Sequence, residues 1–189
     1  MEPDVTSSTK SKKRSTHIVV KIIFGFFALI VLLVVGGYAY MGGFHRVVIE
    51  EIYVGPFKYV YREIVAAEIK KVGEITTAVA DSLHSKDVTV LQPFDLYKPD
   101  GSGQIGFLVK EFEPIKLKAL EPTIKSRIIP AQLCMVTTFP WKNPLSYIIG
   151  YAKVNPEFAT YREKHGYKEV WAATRHDGDI ITYIQPIMK

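Results

Sequence analysis

The pattern of hydrophobic and polar positions changes several times along the chain, and each change marks an element. Residues 1–17 open with the polar run MEPDVTSSTKSKKRST, which has no apolar period and reads as a disordered basic tail. Ile22 to Met41 then carries no charge at all, and the apolar run reaches back to Ile18, interrupted only by Lys21. A helix of about 20 such residues spans about 30 Å, the thickness of a bilayer's hydrocarbon core. Lys21 can snorkel to the interface, and Tyr38 and Tyr40 sit where an aromatic belt belongs. Residues 18–41 are therefore expected to form a transmembrane helix. The run is longer than the apolar core of a cleaved signal peptide, and Tyr38-Ala39-Tyr40 is a poor cleavage site, which favours a signal-anchor.

Beyond the apolar run, residues 44–189 read as one domain in which period-two and helical segments alternate. Val47–Val54 is β-branched and ends at Gly55-Pro56, and Phe57–Arg62 places Tyr59 and Tyr61 on one face and Lys58, Val60 and Arg62 on the other. Val65, Ile69, Val72, Thr76, Val79 and Leu83 follow at alternating spacings of four and three, one face of a helix. Val88–Tyr97 and Gln104–Phe112 are strands joined by the turn-rich Lys98–Gly103. Glu113–Arg127 has no clear period. Ile128–Phe139 is strand-like. Pro144–Gly166 is helical, with a break or kink expected at Asn155-Pro156 and with Leu145, Ile148, Ile149 and Ala152 on its buried side. Glu169–Thr174 and Ile180–Ile187 form a hairpin around Asp177-Gly178. The order predicts an α+β domain built as a tandem β-α-β-β repeat.

Charge sharpens this picture. The formal net charge is +5, but residues 1–21 alone contribute +3 of it. The folded part thus shows no basic surplus of the kind a nucleic-acid-binding face requires. The basic residues ahead of the apolar run, against only His45 and Arg46 just after it, predict a cytoplasmic N-terminus and a periplasmic or otherwise extracytoplasmic domain. The single cysteine, Cys134, excludes an internal disulfide.

Several motifs imitate chemistry. Gly101-Ser102-Gly103-Gln104-Ile105-Gly106 spells a dinucleotide fingerprint, but the following Phe107-Leu108-Val109 is strand-like where a helix must open, so a hairpin is expected. The five histidines show no paired spacing, so neither metal nor cofactor is called for. Glu169 and Trp171 carry more weight: two apart on a predicted strand, they share a face, where a carboxylate beside an aromatic ring attracts a lipophilic cation. A buried Glu169 could also act as a general acid or base. The competing reading is a water-facing glutamate beside a core tryptophan.

Taken in order, Gly55-Pro56-Phe57 with Tyr59 to Glu63, Pro93-Phe94-Asp95-Leu96-Tyr97, Ile129-Pro130-Ala131, Tyr161 with His165-Gly166-Tyr167, Glu169-Val170-Trp171 and Ile184-Gln185-Pro186-Ile187 resemble the GyrI-like small-molecule-binding domain, also called the bacterial effector-binding domain. The resemblance implies a pseudo-two-fold repeat curving around a central groove. It also implies an aromatic-lined pocket in which a buried glutamate meets a lipophilic, cationic ligand. Glu169 is the implied counterpart, with Trp171, Tyr97 and Tyr61 as walls. No DNA-binding region accompanies the domain, so no nucleic-acid partner is expected. The expected partners are a lipid bilayer and a small apolar or cationic ligand. The alternatives are a hydrolase that uses Glu169 and a membrane-tethered module that binds a protein.

Overall fold

A computed structural model describes residues 9–110, 120 and 122–189, with residues 9–17 described by their backbone only. Most of the aperiodic stretch 113–127, and residues 1–8 of the expected tail, lie outside the described residues.

Helix α1 (Thr9–Tyr40) begins inside the segment expected to lack structure. The apolar run nucleates the helix, and the preceding Lys, Ser and Thr residues carry it backwards at little cost in propensity. Ile18–Tyr40 is long and apolar enough to cross a membrane, and none of it is buried against the rest of the chain. That exposure removes the buried-core explanation of its composition.

The strands are β1 (Glu50–Val54), β2 (Phe57–Ile64), β3 (Val90–Tyr97), β4 (Gly103–Val109), β5 (Ile124–Ile129), β6 (Gln132–Pro140), β7 (Ala172–Asp177) and β8 (Ile180–Pro186). They form one antiparallel eight-stranded sheet in the order β1-β6-β8-β7-β3-β4-β2-β5, curled into a half-barrel. Two helices pack on one face. Helix α2 (Val72–His84) covers Val60, Ile64, Ile105 and Phe107, and helix α3 (Pro144–His165) covers Met135, Phe139, Ile181 and Tyr183.

Among the described residues, no helix packs on the opposite face. Instead Val54, Tyr59, Tyr61, Phe94, Leu96, Val136 and Ile184 pack on one another, which requires the sheet to curl around them. The rings of Tyr59 and Phe94 meet edge-on at 5.1 Å, an arrangement worth about 0.5–1.5 kcal/mol beyond burial. The Tyr59 hydroxyl donates to the Gln104 carbonyl at 2.7 Å, so its polar end is satisfied. Both sheet edges reach this cluster through Val54 and Ile129, where a Cβ on Gly55 would stand 3.3 Å from the Ala131 Cα.

The structure departs from the sequence reading at several places. The expected helix from Val65 starts instead as a 3-10 turn, Ala66–Lys71, before α2. A three-residue turn rotates Val65 and Ile69 off the later stripe; they are 58% and 45% exposed, while Ile75, Val79 and Leu83 form the buried line. Ile128–Phe139 is two strands, β5 and β6, because Pro130 has no amide to continue a ladder. Helix α3 continues through Pro156 without the expected break. Val154 and Phe158, both buried, anchor it on either side, and that packing outweighs a proline cost of about 3 kcal/mol. Leu145 and Ile148 are 54% and 61% exposed rather than buried; the buried line of α3 is Ser146, Gly150, Val154 and Phe158. The hairpin at Asp177-Gly178 forms as expected, with Gly178 at φ +55°. The glycine-rich Lys98–Gly103 segment links β3 to β4, and no helix opens after it.

Candidate functional site

β3 and β7 pair at the middle of the sheet, between the two helices, and a cavity of about 970 Å³ lies over that seam. Its floor follows from strand register. Asp95 of β3 lies opposite Thr174 of β7, and Thr174 lies opposite Tyr183 of β8. Directly opposed residues of antiparallel strands share a face with Cβ atoms about 5 Å apart, so these side chains form one row. Tyr97, two residues beyond Asp95, joins the same face opposite Ala172. One wall is α3, through Tyr147, Tyr151, Asn155 and Phe158; the other combines Ile69 and Val72 with Lys98-Pro99.

The row is chemically unfinished. Asp95, Thr174 and Tyr183 are 9%, 3% and 4% exposed, and Asp95 Oδ1, Thr174 Oγ1 and the Tyr183 hydroxyl have no hydrogen-bond partner among the described residues. Buried polar atoms are normally paired, and leaving one unpaired costs about 1–3 kcal/mol. Gly150 permits the arrangement, because a Cβ there would stand 2.5 Å from the Tyr183 hydroxyl.

Burial pushes the Asp95 carboxyl up to about 7, a rise tempered by the Gly106 amide. Burial also raises the phenols of Tyr97 and Tyr147, with the Asp95 charge adding to both, and burial raises Tyr183. These phenols therefore stay protonated and able to donate, while Asp95 changes charge near neutrality. The floor holds a carboxylate that solvent does not screen, surrounded by aromatic faces, a setting that favours a cation with apolar substituents.

The four residues singled out from the sequence divide between the two faces. Tyr97 and Glu169 line the cavity. Glu169 is at the rim, with its side chain 60% exposed and 3.5 Å from Arg162, whose other nitrogen donates to Gln185 at 2.7 Å. Trp171 and Tyr61 belong to the helix-free face, where Trp171 packs on the aromatic cluster and Tyr61 stacks on Tyr59 under the Arg127 guanidinium. The shared face expected for Glu169 and Trp171 fails because β7 starts only at Ala172. Period-two alternation does not extend through the irregular 167–171 segment.

The sequence motifs contain Asp95 without marking it as a site residue. The available signal was its position in Phe94-Asp95-Leu96, since aspartate is depleted in strands. Period two puts Asp95 on the face opposite Phe94 and Leu96, and the packing of the helices makes that face a cavity floor.

No protein-family model matches this chain, and no curated protein is similar to it in sequence. Solved structures share its fold. The C-terminal domain of EcmrR aligns with a TM-score of 0.54 at 15% identity, over 76% of this chain and 98% of that one. EcmrR in its complex with DNA aligns with a TM-score of 0.60 at 12% identity, over 97% of this chain and 73% of that one. A hydrolase from Listeria innocua aligns with a TM-score of 0.51 at 10% identity, over 74% and 91%. The domain therefore shares its fold with the EcmrR C-terminal domain.

Proposed function

We propose that this protein is a membrane-anchored binding module whose cavity takes a small, partly apolar cation. The observation that carries the reading is the row Asp95–Thr174–Tyr183, with three unpartnered polar atoms under an aromatic-walled cavity. The ligand's cationic end would meet Asp95, its apolar part would lie against Tyr97, Tyr147 and Phe158, and Glu169 would act at the rim.

Two further assignments belong to the reading. Residues 18–40 would be a single membrane span with the N-terminus in the cytoplasm and the domain on the far side, as the flanking charges argue. The domain would be a tandem repeat, since β3-β4-β2-β5 with α2 and β7-β8-β6-β1 with α3 have equivalent strand orders. The cavity would then straddle the axis between the halves, where β3 and β7 pair antiparallel.

The test is a fluorescence-anisotropy titration of the full chain, in detergent, with the lipophilic cation rhodamine 6G. Binding to ionised Asp95, which titrates at about 7, should tighten about tenfold between pH 6 and pH 8. Asp95→Asn should abolish that pH dependence and weaken binding at pH 8 by at least about tenfold, the effect of losing about 1.4 kcal/mol. Glu169→Gln, at the exposed rim, should cost less than about threefold. Equal affinity for the wild type and Asp95→Asn at pH 8 refutes the proposal.

A further inference from the structure

Helix α3 presents to the outside a surface that folding alone does not explain. From Asn143 to Ala152 the chain reads NPLSYIIGYA, without a charged residue. Leu145, Ile148 and Tyr151 in that stretch are 54%, 61% and 52% exposed, and Ala152 is exposed beside them. At about 100° per residue, Leu145, Ile148 and Ala152 make one stripe, and Tyr151 and Asn155 lie between it and the cavity. The stripe therefore borders the groove on its outer side. A water-facing helix surface normally carries Lys, Glu or Arg there.

The same helix is fastened to the end of the apolar span. Lys153 donates to the carbonyls of Gly43 and His45 at 2.7 and 2.5 Å. Between Tyr40 and those carbonyls the chain is tightly turned: the Gly43 amide returns to the Tyr38 carbonyl and that of His45 to Gly42, at 2.8 Å each. A Cβ on Gly42 would stand 2.5 Å from the Pro140 ring, so the turn also sits hard against β6. Three residues from Tyr40 to Gly43 cover at most about 10 Å. Ile148 and Leu145 then lie about 8 and 12 Å along α3 from Lys153, at 1.5 Å per residue. The headgroup layer is itself about 5–8 Å deep on each side of the hydrocarbon. The turn, with Phe44 70% exposed and packed edge-on to Tyr38 at 5.3 Å, continues the apolar surface of the span towards α3.

We propose that the apolar stripe of α3 rests in the headgroup layer of the bilayer that α1 crosses, so that the groove opens at the membrane surface. The occupant of the stripe is lipid. The helix that carries the stripe is fastened through Lys153 to the turn that ends the span, and the stripe is apolar and uncharged with Tyr151 at its border, as interfacial segments are. The inference rests on the membrane anchor proposed above, and its test separates the two.

Single cysteines introduced as Leu145→Cys, Ile148→Cys, Glu163→Cys and Leu29→Cys in the full chain are labelled with nitrobenzoxadiazole. The native Cys134 is 1% exposed, and unsubstituted protein measures its background labelling. The proteins are reconstituted into phosphatidylcholine vesicles containing lipid with a nitroxide either on the headgroup or at acyl position 12. Labels at 145 and 148 should be quenched by the headgroup nitroxide at least twofold more than the label at 163, which is exposed about 22 Å further along α3. The label at 29 should be quenched by the acyl nitroxide. If 29 is quenched while 145 and 148 behave like 163, the anchor stands and the proposed contact is overturned. If 29 is not quenched, the anchor reading fails and the contact falls with it.

Discussion

Replacing Asp95 by asparagine tests whether the cavity floor holds a carboxyl that folding disfavours in its charged form. Burial raises this group from 3.8 to about 7. The folded value lies above the unfolded one, so the folded chain holds the proton more tightly. Stability is unaffected below about 4, falls as pH rises from there to about 7, and is lowest above that. At pH 8 the full difference amounts to about 4 kcal/mol, and at pH 5 to about 1.7 kcal/mol. Asparagine keeps the shape and removes the titration. Its amide hydrogens need acceptors, which Thr174 Oγ1 and the Tyr183 hydroxyl are free to supply; any shortfall costs about 1–3 kcal/mol, but equally at both pH values. The stability of Asp95→Asn relative to wild type should therefore be about 2.5 kcal/mol greater at pH 8 than at pH 5, whatever the amide costs. Urea unfolding of the ligand-free full chain in detergent, followed by tryptophan fluorescence, reads this as a difference in midpoint shift of about 1 M or more. A variant whose stability relative to wild type is the same at both pH values would refute the reasoning, because Asp95 would then titrate as it does in the unfolded chain.

Two further outcomes probe the frame around the cavity. A Cβ on Gly106 would lie 2.0 Å from the Val60 carbonyl oxygen and 2.7 Å from the Tyr61 Cα. Both are backbone atoms of the paired strand, so Gly106→Ala must open the β2–β4 ladder; a loss of more than about 3 kcal/mol is expected, and an unchanged urea midpoint would contradict it. Cys134 is 1% exposed and burial pushes its thiol up to about 11. Iodoacetamide at pH 8 should leave it unmodified in the folded chain and alkylate it in urea; modification of the folded chain at a rate near that of free cysteine would show that the curled face opens.

The elements whose patterns depend only on near neighbours were legible in the sequence. The apolar run became α1, the alternation of Tyr59 and Tyr61 against Val60 and Arg62 gave the correct faces of β2, and Asp177-Gly178 turned where it should. What failed depended on partners distant in the chain. Pro156 looked like a break until Val154 and Phe158 found their places on the sheet. Leu145 and Ile148 looked buried because apolar residues at helical spacing usually are, yet the sheet takes the Gly150–Val154 side instead. At the site, the order of motifs pointed to Tyr97 and Glu169, both of which line the cavity, although Glu169 sits exposed at the rim where the resemblance implied a buried glutamate. The place of Trp171 was not legible, because assigning a face by period two needs an unbroken strand and 167–171 is irregular; the face of Tyr61 was read correctly, but the cavity opens on the other side of the sheet.

Asp95 shows why the floor of such a site escapes local reading. Its neighbours Phe94 and Leu96 fill the curled face, and alternation then turns Asp95 outwards, where an aspartate is unremarkable. What makes the position unusual is tertiary. Helix α3 passes over it with Gly150 admitting Tyr183, and β7 sets Thr174 beside it, so that an ordinary polar position becomes a buried, unpaired one. A sequence selected for stability alone would have asparagine, serine or an apolar residue there, since each avoids most of the cost of a buried charge. On the proposed function, the carboxyl is stability exchanged for recognition. A cation bound against it would lower its proton affinity again and return part of the lost stability to the complex. The same mass action makes the ligand-bound fold most favoured over the free one above pH 7, where the charge is fully developed.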